Sequence, residues 1–95
     1  MANPARHKSN LKYEYIEMFQ KIVRESQLEG YYDAEWVSGW DYWPDKDQKK
    51  IEVAAQEVCN RTEFKGVSYE MESDTSTHEY NGVYYSNITV KFIWI

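Results

Sequence analysis

Asn81-Gly82, set between two runs rich in Tyr, Val and Thr, constrains this chain more than any other feature. Asn-Gly is the favoured pair for a two-residue type I′ hairpin turn, because both central positions need positive φ. Such a turn also sets a register. Tyr80 opposes Val83, and extending the ladder pairs Glu72 with Lys91, Met71 with Phe92 and Tyr69 with Trp94. Val67, Tyr69 and Met71 then share a face with Ile88, Val90, Phe92 and Trp94, as a half-buried antiparallel pair requires. The polar stretch Ser73-Asp74-Thr75-Ser76 is where the first strand is expected to bend or bulge. Ile93 and Ile95 point to the other face, so the last strand is expected to be covered there or paired within a larger sheet.

Two helices precede this hairpin. Leu11, Tyr15, Met18, Phe19, Ile22 and Val23 recur at spacings of three and four, which predicts an amphipathic helix over about 11–29. Ser9 or Asn10 is placed to cap its start, and Gly30 to end it. A second helix begins after Pro44, with Asp45 as the expected N-cap and Gln48 in the capping-box position. Its narrow apolar face is Ile51, Ala54, Ala55, Val58 and Cys59, and it ends near 60–61. Between the helices, Tyr32, Ala34 and Trp36 alternate with Asp33, Glu35 and Val37. That predicts a short strand over about 31–37, a turn at Ser38-Gly39 and an extended run through Trp43. The segment 31–43 is then an edge strand or a hairpin, with a loop as the alternative.

These elements define an α+β fold: two helices packed on an antiparallel sheet built around a long C-terminal β-hairpin, about 64–95. The expected core is Leu11, Tyr15, Phe19, Ile22, Val23, Ile51, Ala55, Val58, Val67, Tyr69, Met71, Ile88, Val90 and Phe92. Ninety-five residues suit one domain, with residues 1–9, carrying Arg6, His7 and Lys8, as a short basic tail. A net charge of −5 argues against non-specific binding to nucleic acid or to an anionic membrane. No run approaches the roughly 20 apolar residues of a membrane helix, and the N-terminal charges precede no apolar stretch. With Cys59 as the sole cysteine, no internal disulfide can form. The expected location is the cytoplasm.

The acidic balance is concentrated in residues 29–47, where six acids stand against Lys46 alone. The same segment holds Tyr31, Tyr32, Trp36, Trp40, Tyr42 and Trp43. Tyr and Trp supply large, stiff contact area at interface hot spots, and carboxylates steer toward a basic partner. Asp33, Glu35, Trp40, Asp41, Tyr42, Trp43, Asp45 and Asp47 are therefore the expected partner-binding residues. Trp36, in step with Tyr32 and Ala34, belongs to the core instead. The alternative use of these rings is to stack a flat, nucleotide-like ligand. Only Lys46 is near to hold a phosphate, and no glycine-rich phosphate loop exists.

Other constellations carry less chemistry. His78 and Glu79 are strand neighbours and point to opposite faces, so neither orients the other for catalysis. Cys59 lies near a helix C-terminus, which raises rather than lowers a thiol pKa. Asp41, Asp45 and Asp47 lack calcium-loop spacing, and helix capping accounts for the last two. The expectation is a small acidic, non-enzymatic protein-binding module without a cofactor or metal. Its partner is another protein with a basic surface, and direct nucleic-acid or membrane binding is not expected. An exposed edge strand makes a homodimer an available state. In style, small acidic aromatic-rich chains of this kind are similar to phage and mobile-element accessory proteins, including inhibitors of host defence nucleases, which suggests an inhibitor of a basic, nucleic-acid-binding partner.

Overall fold

The computed structural model describes residues 11–95, with side chains from Tyr13 onward. The basic tail, its His7, the Ser9 and Asn10 caps and the Leu11 side chain lie outside the described residues. The order is α1 (Leu11–Leu28), β1 (Asp33–Val37), α2 (Asp45–Cys59), a 3-10 turn (Thr62–Phe64), β2 (Ser68–Tyr80) and β3 (Val83–Ile93). The three strands form one antiparallel sheet in the order β1-β3-β2, and both helices pack on one face of it. The class is α+β, as the periodicities require.

Local chemistry explains the element ends. α1 stops at a Schellman arrangement: Tyr31 N–H donates to Ser26 C=O at 3.0 Å and Gly30 N–H to Gln27 C=O at 3.1 Å. Gly30 has φ +86°, a conformation that a Cβ would strain. α2 starts one residue earlier than expected. Pro44, not Asp45, is the N-cap, and no side chain caps the helix. The Pro44 carbonyl accepts from the Asp47 and Gln48 N–H groups. Gln48 is therefore not part of a capping box. Its Nε2 donates to Trp43 C=O at 2.8 Å, tying the incoming chain to the first turn.

Asn81 and Gly82 have φ of +52° and +81°, and Tyr80 pairs with Val83, as the turn demands. Below the turn the ladder slips. Glu79 pairs with Tyr84, but Thr75 pairs with Ser86, so three residues of β2 oppose Tyr85 alone. The bulge adds two residues to β2 and shifts every pair beneath it. Met71 faces Val90, Tyr69 faces Phe92 and Glu72 faces Thr89. The expected Glu72–Lys91 pair is thus replaced by Glu70–Lys91. Because the slip is even, the faces survive: side chains alternate with period two, so a shift of two keeps the apolar set on the core side.

β1 takes the other side of β3, pairing Asp33 with Ile93 and Val37 with Thr89. Asp41 then bridges Ser86. Segment 31–43 is therefore an edge strand continuing along β3, not a hairpin. Its three residues 38–40 span only two of β3, a second bulge. Ser38 N–H donates to Ile88 C=O, and Ser38 Oγ accepts from Ile88 N–H, both at 2.9 Å. β3 is thus the central strand, paired along both edges as one of the two expectations had it, while no described element covers its outward face, which carries Asn87, Thr89 and Lys91 beside Tyr85 and Ile93.

The core lies between sheet and helices. Phe19, Val23, Ile51, Ala54, Ala55, Val58, Ile88, Val90 and Phe92 are fully buried. The Phe19 ring meets Phe92 at 5.2 Å and Trp36 at 5.6 Å, and Trp36 meets Tyr15 edge-on at 5.4 Å. Ile22, Tyr69 and Met71 pack on the core but are only partly buried. Met18 is 38% exposed, because the buried stripe of α1 runs through Tyr15, Ile16, Phe19 and Val23. Phe64, on the 3-10 turn, joins the core without any periodic signal to announce it.

Candidate functional site

Helices cover one face of the sheet, and no described element covers the other. The strand alternation decides what that face carries. Ala34, Trp36, Tyr69, Met71, Ile88, Val90 and Phe92 turn to the helices. Their neighbours turn away: Asp33, Glu35 and Val37 from β1, Ser68, Glu70, Glu72 and Asp74 from β2, and Tyr85, Asn87, Thr89, Lys91 and Ile93 from β3. An antiparallel sheet tolerates a solvated face of this kind.

The lower part of this open face is acidic. Lys91 lies between Glu35 on one side and Glu70 on the other, and its Nζ is 3.9 Å from Asp33 Oδ2. With Glu72, opposite Thr89, four carboxylates stand around one ammonium, and Asp74, opposite Asn87, extends the acidic face farther along β2. A shallow depression of about 230 Å³ opens between Glu35, Glu70, Glu72, Thr89 and Lys91.

The upper part is aromatic. Both bulges fall against the same stretch of β3, residues 85–88, and bulges bend and re-aim a strand. A groove of about 530 Å³ opens there, lined by Trp40, His78, Tyr80 and Tyr85 over the bulge residues 75–77. The Tyr80 and Tyr85 ring centroids are 5.4 Å apart. Ser76 holds the bulge: its Oγ accepts from Tyr85 N–H at 3.1 Å and donates to His78 C=O at 2.9 Å.

The eight residues expected to bind a partner divide between the layers. Asp33, Glu35 and Trp40 belong to the open face, Trp40 being 56% exposed at the groove. Tyr42 is exposed beside it. Asp41 spends its backbone on the Ser86 bridge, and its Oδ1 accepts from Tyr42 N–H at 2.7 Å. Trp43, Asp45 and Asp47 sit with the helices. Trp43 packs against the core with Nε1 buried and unpartnered, so it is not an exposed anchor. Asp47 is only 6% exposed, which removes it from any docking surface. Glu70, Glu72, Asp74, Tyr80 and Tyr85 were not expected at the site. Their two-residue spacing was visible, but only the strand order brings them beside Asp33, Glu35 and Trp40.

The perturbed titrations lie on the helix side. Burial pushes the Tyr15 phenol up, aided by Asp47 and Glu14. Burial also raises Tyr69, against a Gln56 hydrogen bond that lowers it. The Cys59 thiol is raised by burial, which disfavours the thiolate a nucleophile needs. Among the described residues, no three His, Cys, Asp or Glu side chains gather to hold a metal ion. No helix there is long and apolar enough to cross a membrane.

Fold and site together define a small two-layer α+β domain whose second sheet face, acidic and aromatic, no described element covers. Compared with known proteins, the chain matches no family model, no curated protein and no solved structure at a significant level.

Proposed function

We propose that this chain is a non-enzymatic protein-binding module whose helix-free sheet face captures a basic segment of another protein. The observation that carries this reading is the surface in which four carboxylates around Lys91, continued by Asp74, adjoin the exposed rings of the bulged end. Carboxylates speed encounter with a basic partner, and rings in a desolvated groove prolong the complex. A partner whose basic surface ordinarily holds nucleic acid would be blocked by such a face, which gives the module the action of an inhibitor.

The test uses a peptide of alternating Lys and Thr as a probe and measures its binding by surface plasmon resonance at low and high salt. Salt-sensitive binding that is lost in a Glu35→Lys/Glu70→Lys variant supports the reading. Equal binding by parent and variant overturns it. A second reading, a stacked flat ligand, is favoured by the groove alone. A thermal-shift series with nucleotides separates the two, since only a ligand of the folded chain raises its melting temperature with concentration.

A further inference from the structure

We propose that the groove between Trp40, Tyr80 and Tyr85 is the receptor for one arginine side chain of the basic partner, seated guanidinium-first against the rings. The inference rests on the reading of the sheet face given above and names the chemistry of one anchor within it.

The groove has the composition a guanidinium requires. The rings of Trp40 and Tyr80 are exposed, Tyr85 is half-buried, and among the described residues no Lys or Arg lines the cavity. Among the described residues, His78 is the one basic side chain that a phosphate-bearing ligand would meet there. An aromatic face carries a negative quadrupole and attracts a cation, Trp most strongly. A guanidinium is flat and weakly hydrated, so it stacks on such rings at a lower desolvation cost than an ammonium.

A carboxylate stands nearby as well. Asp74 pairs with Asn87, one outward-facing step along β3 from Tyr85. That diagonal separates backbones by roughly 7–8 Å, within reach of a guanidinium resting on the Tyr85 ring. The chain already uses this arrangement internally. Arg24 lies over the Phe64 ring at 5.4 Å and donates to Glu63 Oε2 at 2.6 Å. A ring beneath and a carboxylate beside the guanidinium are the same two partners that the groove and Asp74 offer. Cation–π attraction draws the side chain in, and the carboxylate accepts from its N–H groups.

The experiment compares three peptides of alternating Lys and Thr that differ at one terminal residue: Arg, Lys or citrulline. Citrulline keeps the planar shape and loses the charge. Lysine keeps the charge and loses the plane. Dissociation constants are read by calorimetry, with tryptophan fluorescence reporting the groove. The citrulline peptide is expected to bind about tenfold more weakly than the Arg peptide, with Lys between them. Trp40→Leu and Tyr80→Leu each lower affinity for the Arg peptide by a similar factor and leave the citrulline peptide unchanged. Both side chains are exposed, so circular dichroism should show these variants folded.

Equal affinity for Arg and citrulline peptides, with salt-sensitive binding intact, overturns the arginine receptor and leaves the acidic face standing. Parent-like binding of the Arg peptide by both groove variants does the same. Failure of the parent to bind any of the three overturns the sheet-face reading and the receptor together. Saturable binding of adenosine monophosphate that the Arg peptide cannot displace assigns the groove to a flat ligand and overturns the proposal.

Discussion

Ser76 Oγ accepts the Tyr85 backbone N–H across the bulge at 3.1 Å and donates to His78 C=O at 2.9 Å. One hydroxyl thus replaces the ladder partner that Tyr85 loses where three residues of β2 face it. Ser76→Ala leaves that half-buried amide without its acceptor, at a cost of about 1–3 kcal/mol. Chemical denaturation should show the loss, and hydrogen exchange should show it concentrated at the Tyr85 amide. Unchanged protection at Tyr85 would mean that the bulge is held by something else.

The hairpin turn makes a second prediction. Gly82 sits at φ +81° with open space around its Cβ position, so the cost of a side chain there is backbone strain rather than a clash. Gly82→Val should lower stability by about 1–3 kcal/mol, because a β-branched residue resists the left-handed region. Coincident denaturation midpoints for variant and parent would contradict the type I′ turn.

Two tryptophans three residues apart should behave oppositely. Trp43 packs on the core, whereas Trp40 is exposed at the groove. Trp43→Leu should cost roughly 1–3 kcal/mol of folding stability, while Trp40→Leu should stay within about 0.5 kcal/mol of the parent. Melting curves of the two variants decide this. A larger loss for Trp40 would reverse the assignment of core and surface.

Alkaline pH should weaken the fold through Tyr15. Burial, then Asp47, then Glu14 raise its phenol, and burial raises Tyr69 also. A raised phenol holds its proton more tightly in the folded chain than in the unfolded one. Its stabilising contribution is therefore complete below the ordinary value of about 10 and is lost as pH climbs through the raised value. Urea midpoints measured upward from pH 9 should fall, and Tyr15→Phe should flatten that fall. An equally steep decline in the Phe variant would assign the effect elsewhere.

Charge reversal on the open face should act on kinetics. Asp33→Lys with Glu35→Lys should slow association with the Lys-Thr probe and flatten its salt dependence, with little change in dissociation. Surface plasmon resonance at two salt concentrations separates the rates. Unaltered association would place the interface away from β1.

The alternation of Tyr69 and Met71 with Glu70 and Glu72, and of Ile88, Val90 and Phe92 with Thr89 and Lys91, was enough to predict which side chains meet the core. Individual partners were not legible. A turn fixes register only as far as the ladder runs unbroken, and Thr75–Glu79 breaks it. Met71 consequently faces Val90 rather than Phe92, and Lys91 faces Glu70 rather than Glu72. The acidic face was half legible for a related reason. Asp33 and Glu35 stand out in a segment dense in charge and rings, whereas Asp45 and Asp47, equally prominent, end on the helix layer.

What the sequence by itself determined were the properties that depend on near neighbours: the helical stripes, the Gly30 stop, the Asn81-Gly82 turn and the two faces of each strand. Period and φ preference are local, and an even slip of register leaves them intact. The tertiary structure alone decided that β1 lies against β3 instead of against β2. That choice joins segments more than fifty residues apart, and the burial of Ala34 and Trp36 beneath α1 drives it, a non-local term that no window of sequence contains. It is also the choice that sets Asp33 and Glu35 beside Lys91 and carries Trp40 to the tyrosines of the hairpin.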